Sequence, residues 1–244
     1  ILMIGAFILL LLIPSFAFSK SQYKYIRSPK TDFYFGHISY TEVKNDGKDP
    51  MVIREGEEKP EIAVVNFPLV PGDTIRTPEG RRCEVQFDTG TIIRLDFATE
   101  LKIETIMAAS LSTKNKISNL LLNKGEIYIQ YKRYNRPEIF QVVTPNVAIK
   151  LKHKTVAMVN AREGGKTDIQ VRFGEIYVLF GPDENNLEGR MIKKSGELTI
   201  SKDHKAIEGE YQIDVDFESW NMDMNENFEE LHQGKNFIPA PIQN

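Results

Sequence analysis

Phe87-Asp88-Thr89-Gly90-Thr91 is the segment whose residue types point most directly to chemistry. Where two Asp-Thr-Gly loops meet, the paired carboxylates share one proton and activate water for peptide hydrolysis. This chain holds a single Asp-Thr-Gly, so such a site needs a dimer with Asp88 of each copy as its acid and base. That chemistry also needs an apolar-apolar-Gly support. Met107-Ala108-Ala109 and Met158-Val159-Asn160 lack the glycine, and Gln86 is polar where an apolar residue is wanted. Asp-Thr-Gly is also a good hairpin turn for backbone reasons alone. The expectation is a turn, with no catalytic residue.

The other reactive side chains are scattered. His37, His153, His204 and His232 form no His-x-x-x-His pair, and none has an evident carboxylate ligand set beside it. Cys83 is the only cysteine, which rules out an intramolecular disulfide and a cysteine-based metal site. Glu163-Gly164-Gly165-Lys166 lacks the spacing of a phosphate cradle. The acidic-aromatic tail from Asp214 to Glu230 lacks the ligand spacing of a calcium loop. No metal and no cofactor is expected. With 31 Lys plus Arg against 34 Asp plus Glu, the net charge of -3 argues against a nucleic-acid binder. The basic run Lys132-Arg133-Tyr134-Asn135-Arg136 reads as a solvated loop.

The elements that must position these residues are mostly strands. Val, Ile, Tyr, Phe and Thr dominate short alternating runs separated by Gly, Pro, Asn and Asp. Strands are predicted over 32–40, 51–54, 62–66, 74–77, 82–87 and 91–97, then over 125–132, 138–144, 147–151, 154–161, 167–173 and 175–180, with two or three more over 190–207. Residues 107–119 read as a loop or short helix. Asp88-Thr89-Gly90 and Glu163-Gly164-Gly165 are hairpin turns. Lys124-Gly125-Glu126-Ile127-Tyr128-Ile129 echoes Phe173-Gly174-Glu175-Ile176-Tyr177-Val178, and both glycines are expected to take positive φ or mark bulges. Near the C-terminus the period changes. Phe217, Trp220, Met224, Phe228 and Leu231 lie on one face of a helix that Asp214 or Asp216 would cap. That face either docks on the chain's own core or binds a partner, with Phe217, Trp220, Phe228 and Leu231 as the contact residues. The fold class is all-β: an antiparallel sandwich or rolled sheet of many short strands, with a C-terminal amphipathic helix.

The stretch from Pro71 to Lys102 resembles the FecR-type domain of bacterial envelope proteins. The resemblance lies in Gly72-Asp73-Thr74-Ile75-Arg76-Thr77, the turn Asp88-Thr89-Gly90-Thr91, the strand Ile93-Arg94-Leu95, Thr99-Glu100-Leu101 and the later Gly125-Glu126-Ile127-Tyr128. It covers roughly residues 66–181. The resemblance implies a periplasmic β-domain. In the family's best-known members that domain follows a membrane-crossing helix and a short cytoplasmic segment that restrains a sigma factor. The part of that plan expected here is the sensor-like periplasmic β-domain.

Residues 1–19 carry no charge, are interrupted by Pro14 and end on Ala17-Phe18-Ser19. This reads as a signal peptide cleaved before Lys20, or as an uncleaved anchor just under the roughly 20 apolar residues a spanning helix needs. The organisation expected is a leader or anchor at 1–19, an N-terminal strand and charged loop at 20–65, a FecR-like β-domain at 66–208, a helix at 209–234 and a Pro-containing linker at 235–244. The function expected is an exported, non-enzymatic binding module of the envelope, engaging an envelope or membrane protein, with possible membrane attachment through residues 1–19. A glycan-binding scaffold using Tyr128, Tyr131, Tyr134 and Tyr177 as stacking platforms, and the dimeric protease, are the alternatives.

Overall fold

Runs that alternate apolar and polar residues become strands, and the one run of helical period becomes the helix. The computed structural model describes residues 25–26, 36–44, 46–110, 115–132, 138–183, 185–208 and 214–232. The side chains at 25, 26, 109, 110, 153 and 227–232 fall outside that description. So do residues 1–19, Tyr134 with most of the basic run, and residues 233–244.

In chain order the strands are β1 (Tyr25–Ile26), β2 (Gly36–Thr41), β3 (Met51–Ile53), β4 (Glu61–Ile62), β5 (Pro68–Leu69), β6 (Thr74–Arg76), β7 (Cys83–Phe87) and β8 (Ile92–Leu95). There follow β9 (Glu100–Ser110), β10 (Lys116–Tyr131), β11 (Glu138–Val143), β12 (Val147–Ala161), β13 (Thr167–Phe180), β14 (Glu188–Lys193), β15 (Glu197–Ile200) and β16 (Ala206–Ile207). The helix α1 spans Val215–His232. Among the described residues the fold is all-β with one C-terminal helix.

All the strands belong to one hydrogen-bonded sheet that turns over on itself. Three long strands make the turn. The first half of β10 pairs with β9 and β11, and its second half, from Gly125, pairs with β8 and β12. β12 and β13 change partners in the same way, β13 passing from β15 to β14 across Gly174. One wing thus runs β16-β15-β13-β12-β10-β8-β7-β2-β5, and the other carries β14, β11, β9, β6, β3 and β4. Ile93, Ile127 and Val159 of the first wing share a single core with Ile103, Val142 and Ile149 of the second. Of the two architectures anticipated, the molecule adopts the rolled sheet, antiparallel as expected except where the first half of β10 runs parallel to β11. Strands that precede residue 66 are part of it, since β2 pairs with β7 and β3 with β6.

Runs that read as separate strands join at the bends. Gly125 has φ 87° and Gly174 φ 79°, so the chain turns between wings without leaving the sheet. Each bend is held by a threonine. Thr99 Oγ1 donates to the Glu126 carbonyl at 3.2 Å and accepts from its N–H at 3.0 Å. Thr155 Oγ1 donates to the Glu175 carbonyl at 3.1 Å. The sequence echo is therefore a repeated structural joint. Residues 107–110 and 116–119, expected as loop or helix, are strand. Their ladder is irregular, with Met107 at φ 51° and its N–H donated to Ser118 Oγ at 3.1 Å.

Candidate functional site beneath the helix

In β10, Ile127 and Ile129 point into the core, so Glu126 and Tyr128 face outward. Register carries that outer face across the wing. One row runs from Asp96, whose N–H bonds the Glu126 carbonyl at 3.0 Å, through Glu126, Asn160 and Asp168 to Thr199. The next row runs Glu84, Arg94, Tyr128, Met158 and Gln170. Helix α1 lies across these rows.

Asp214 starts α1. Its Oδ1 accepts the N–H groups of Asp216 and Phe217, each at 3.0 Å, which satisfies two donors left free at any helix start. Asp216 and Glu218 make the first turn acidic, as the positive end of a helix favours. Phe217 is 0% exposed and packs on Tyr128 and Met158, with Trp220 and Val156 at the margin. The Phe217 and Trp220 rings stack at 5.9 Å with planes 16° apart, and Tyr40 flanks Trp220 at 5.9 Å.

Two buried arginines reach up to the helix. Arg82 Nε donates to Asp96 at 2.7 Å and its Nη2 to Asp216 at 2.5 Å. Its guanidinium carbon lies 4.2 Å from the Phe97 ring centre and 5.3 Å from that of Trp220. Arg94, only 1% exposed, donates through Nε to Glu84 at 2.6 Å and through Nη1 to the main-chain carbonyl of Asn221 at 2.9 Å. Arg172 pairs with Glu218, and Asn225 donates to the Tyr128 hydroxyl at 3.2 Å. Burial works against the Arg82 cation, but its bonds to Asp96 and Asp216 outweigh that and hold it above its usual range. Burial pushes Asp96 up, with Arg82 offsetting part of the effect. Burial, aided by the carboxylates of Asp96 and Asp214, pushes Glu126 up to about 8.

Residues 73–177 match the family model described as FecR protein. Over that stretch the chain is similar to the FecR family. Two crystal structures of a candidate anti-sigma factor from Parabacteroides distasonis, at 1.65 and 2.50 Å resolution, each align at 16% identity and a TM-score of 0.43. The alignment covers 55% of this chain and 57% of theirs, so the chain spans little more than half of the solved structure it matches. No curated protein matches.

The residues that carry the FecR likeness occupy joints of the fold. Gly72, at φ 105°, closes a turn against the Glu55 side chain. Asp73 is buried and its Oδ2 accepts from Arg54 at 2.5 Å and from the Val70 N–H at 2.8 Å. Thr77 Oγ1 donates to the Asp96 carbonyl at 2.5 Å and accepts from the Thr99 N–H at 3.0 Å. Arg94 is the exception, since it also reaches the helix.

The structure brings Phe217 and Trp220 together beneath α1. Phe217 is covered by the chain's own sheet, so with the helix seated it serves as an anchor. The side chains of Phe228 and Leu231 lie outside the described residues. Asp88 sits exposed at the tip of the β7–β8 hairpin, where the Phe87 N–H bonds the Thr91 carbonyl at 2.9 Å and Gly90 takes φ 78°. Cys83 is in the core and burial pushes its thiol far up, so it is a poor nucleophile. His204 Nδ1 lies 3.2 Å from the Asn146 carbonyl in a turn. Among the described residues no cluster of His, Cys, Asp or Glu could hold a metal ion. Tyr131 packs on Phe140 in the core and Tyr128 lies under α1, so neither offers a free face for stacking. The polar row beneath the helix was missed by sequence reasoning. Arg82, Asp96 and Glu126 lie far apart in sequence, and only strand pairing puts them in line under α1.

Proposed function

We propose that this protein is an exported, non-enzymatic module of the bacterial envelope that binds a protein partner in sensing or assembly. The FecR match over residues 73–177 carries the reading. The uncharged residues 1–19 support passage to the periplasm, as a cleaved leader or a retained anchor. Among the described residues no helix is long and apolar enough to cross a membrane.

The partner surface is the solvent side of α1. Val215 and Met222 are 73% and 58% exposed and stand two turns apart on one side of the helix. Large apolar side chains aligned on an exposed face fit a protein contact better than they fit water. Phe217 and Trp220 fix the helix to the sheet. A photo-crosslinking residue at Met222, in the full chain in its native envelope, tests this, with a second at Glu163 on the β12–β13 turn as control. A discrete adduct with one envelope protein at Met222, and none at Glu163, is expected. Adducts only with wall glycan, or none, contradict it. An alkaline phosphatase fusion after Lys20 that stays inactive contradicts export.

A further inference from the structure

Glu126 is 5% exposed although it faces outward from the sheet. Its Oε2 accepts from Asn160 Nδ2 at 2.9 Å, and its Oε1 is buried without a hydrogen-bond partner. The charged groups facing it are mostly acidic. Asp96 comes from the end of β8, Asp168 from β13 and Asp214 from the start of α1. The nearby cations are engaged by others: Arg82 by Asp96 and Asp216, and Arg162 by Asp168, which Lys166 also faces. An ionised Glu126 would have one amide donor and no cation of its own. The positive end of α1 gives little relief, because Asp214 already takes two of its free N–H groups and Asp216 and Glu218 follow.

The helix is also built to leave. Without α1, Arg82 keeps Asp96 and Arg94 keeps Glu84, so undocking strands no buried charge. The Asp216 carboxylate is already largely in water.

We propose that α1 is a proton-controlled latch, seated while Glu126 is neutral and lifted when Glu126 ionises. Lifting carries Asp214 away and admits water to Glu126 Oε1. It uncovers Tyr128, Met158 and the two arginines. Because burial and the neighbouring carboxylates hold Glu126 up to about 8, the change falls at mildly alkaline pH.

Trp220, the single tryptophan, stacks on Phe217 and reports the seat directly. The full chain is titrated from pH 6 to pH 9.5 while Trp220 emission and acrylamide quenching are followed, with far-UV circular dichroism monitoring the strands. The expected result is a red shift and a several-fold rise in quenching centred near pH 8, with the strand signal intact. Glu126→Gln should abolish the transition. Asp214→Asn, which preserves the cap, should move its midpoint to lower pH. Unchanged emission up to pH 9.5, the same transition in Glu126→Gln, or an unmoved midpoint in Asp214→Asn would overturn the proposal.

Discussion

Arg94 donates to the main-chain carbonyl of Asn221 at 2.9 Å, joining the middle of strand β8 to the middle of helix α1. The Asn221 side chain also turns inward, Nδ2 donating to the Phe217 carbonyl at 2.8 Å and Oδ1 lying 3.3 Å from the same guanidinium. An arginine beneath a sheet surface is costly unless its donors are used, and here the helix uses one set and Glu84 the other. The buried charge therefore fixes where along its length α1 sits.

Arg94→Met should leave Glu84 covered without its cation and release the helix. A loss of about 3 kcal/mol is expected in urea unfolding, as for other broken buried pairs. Adding Glu84→Met should recover much of the strand stability but not the helix contact. A double mutant as weak as the single one would contradict this division.

Phe217→Ala should act on the helix alone. A buried Phe→Ala change costs about 3 kcal/mol or more, but α1 can detach before the sheet opens. The expected outcome is a solvent-exposed Trp220 emission with a nearly unchanged melting temperature of the strands. A collapse of the whole domain would show that the core depends on α1.

Gly125→Val and Gly174→Val should both destabilise the fold. At φ 87° and 79° a side chain costs about 1–2 kcal/mol before any contact is counted. A Cβ on Gly125 would also lie 2.5 Å from the Thr99 Cα, and one on Gly174 would strike the Lys154 carbonyl. Normal melting of either variant would contradict the joint.

Stability should fall as pH rises through the Glu126 titration. Its folded-state value, up to about 8, lies above the ordinary carboxyl value of 4.5. Between those limits the folded protein holds a proton that the unfolded chain has released. The stabilisation is complete below about pH 4.5 and is lost towards pH 8, by up to about 1.4 kcal/mol per pH unit. In Glu126→Gln this contribution should vanish, so the two stability–pH curves should diverge over that window. Parallel curves would contradict it.

Asp88→Asn should be silent. The carboxylate is exposed at a hairpin tip whose bonds are main-chain. Melting temperature and partner capture should match wild type. Loss of a peptide-cleaving activity with the fold intact would instead restore the protease reading.

Features that declare themselves locally were legible in the sequence. The hairpin turns, the helix with its Asp214 cap and the two glycine bends follow from residue types a few positions apart. Continuity was harder to read. Glycine within an alternating run looks like a strand boundary, and only the paired neighbours reveal that β10 and β13 pass through it. Residues 116–119 looked like loop because Lys116, Ser118 and Asn119 are polar, yet their register with β9 and β11 makes them strand. The polar row could not be seen at all. Nothing near Glu126 or Arg82 in sequence announces that a helix some ninety to one hundred and thirty residues later will cover them. Arg94 stands within the FecR-like motif, but its reach to Asn221 is a property of the assembled face.

Hydrogen exchange of the α1 amides, measured at pH 6.5 in wild type and Arg94→Met, tests most directly whether the helix is held by the sheet. The expected result is protection over residues 217–225 in wild type that is lost in Arg94→Met, while β10 and β12 stay protected in both. Free exchange of α1 in wild type, or equal protection in the variant, would contradict the docked helix and the role assigned to Arg94.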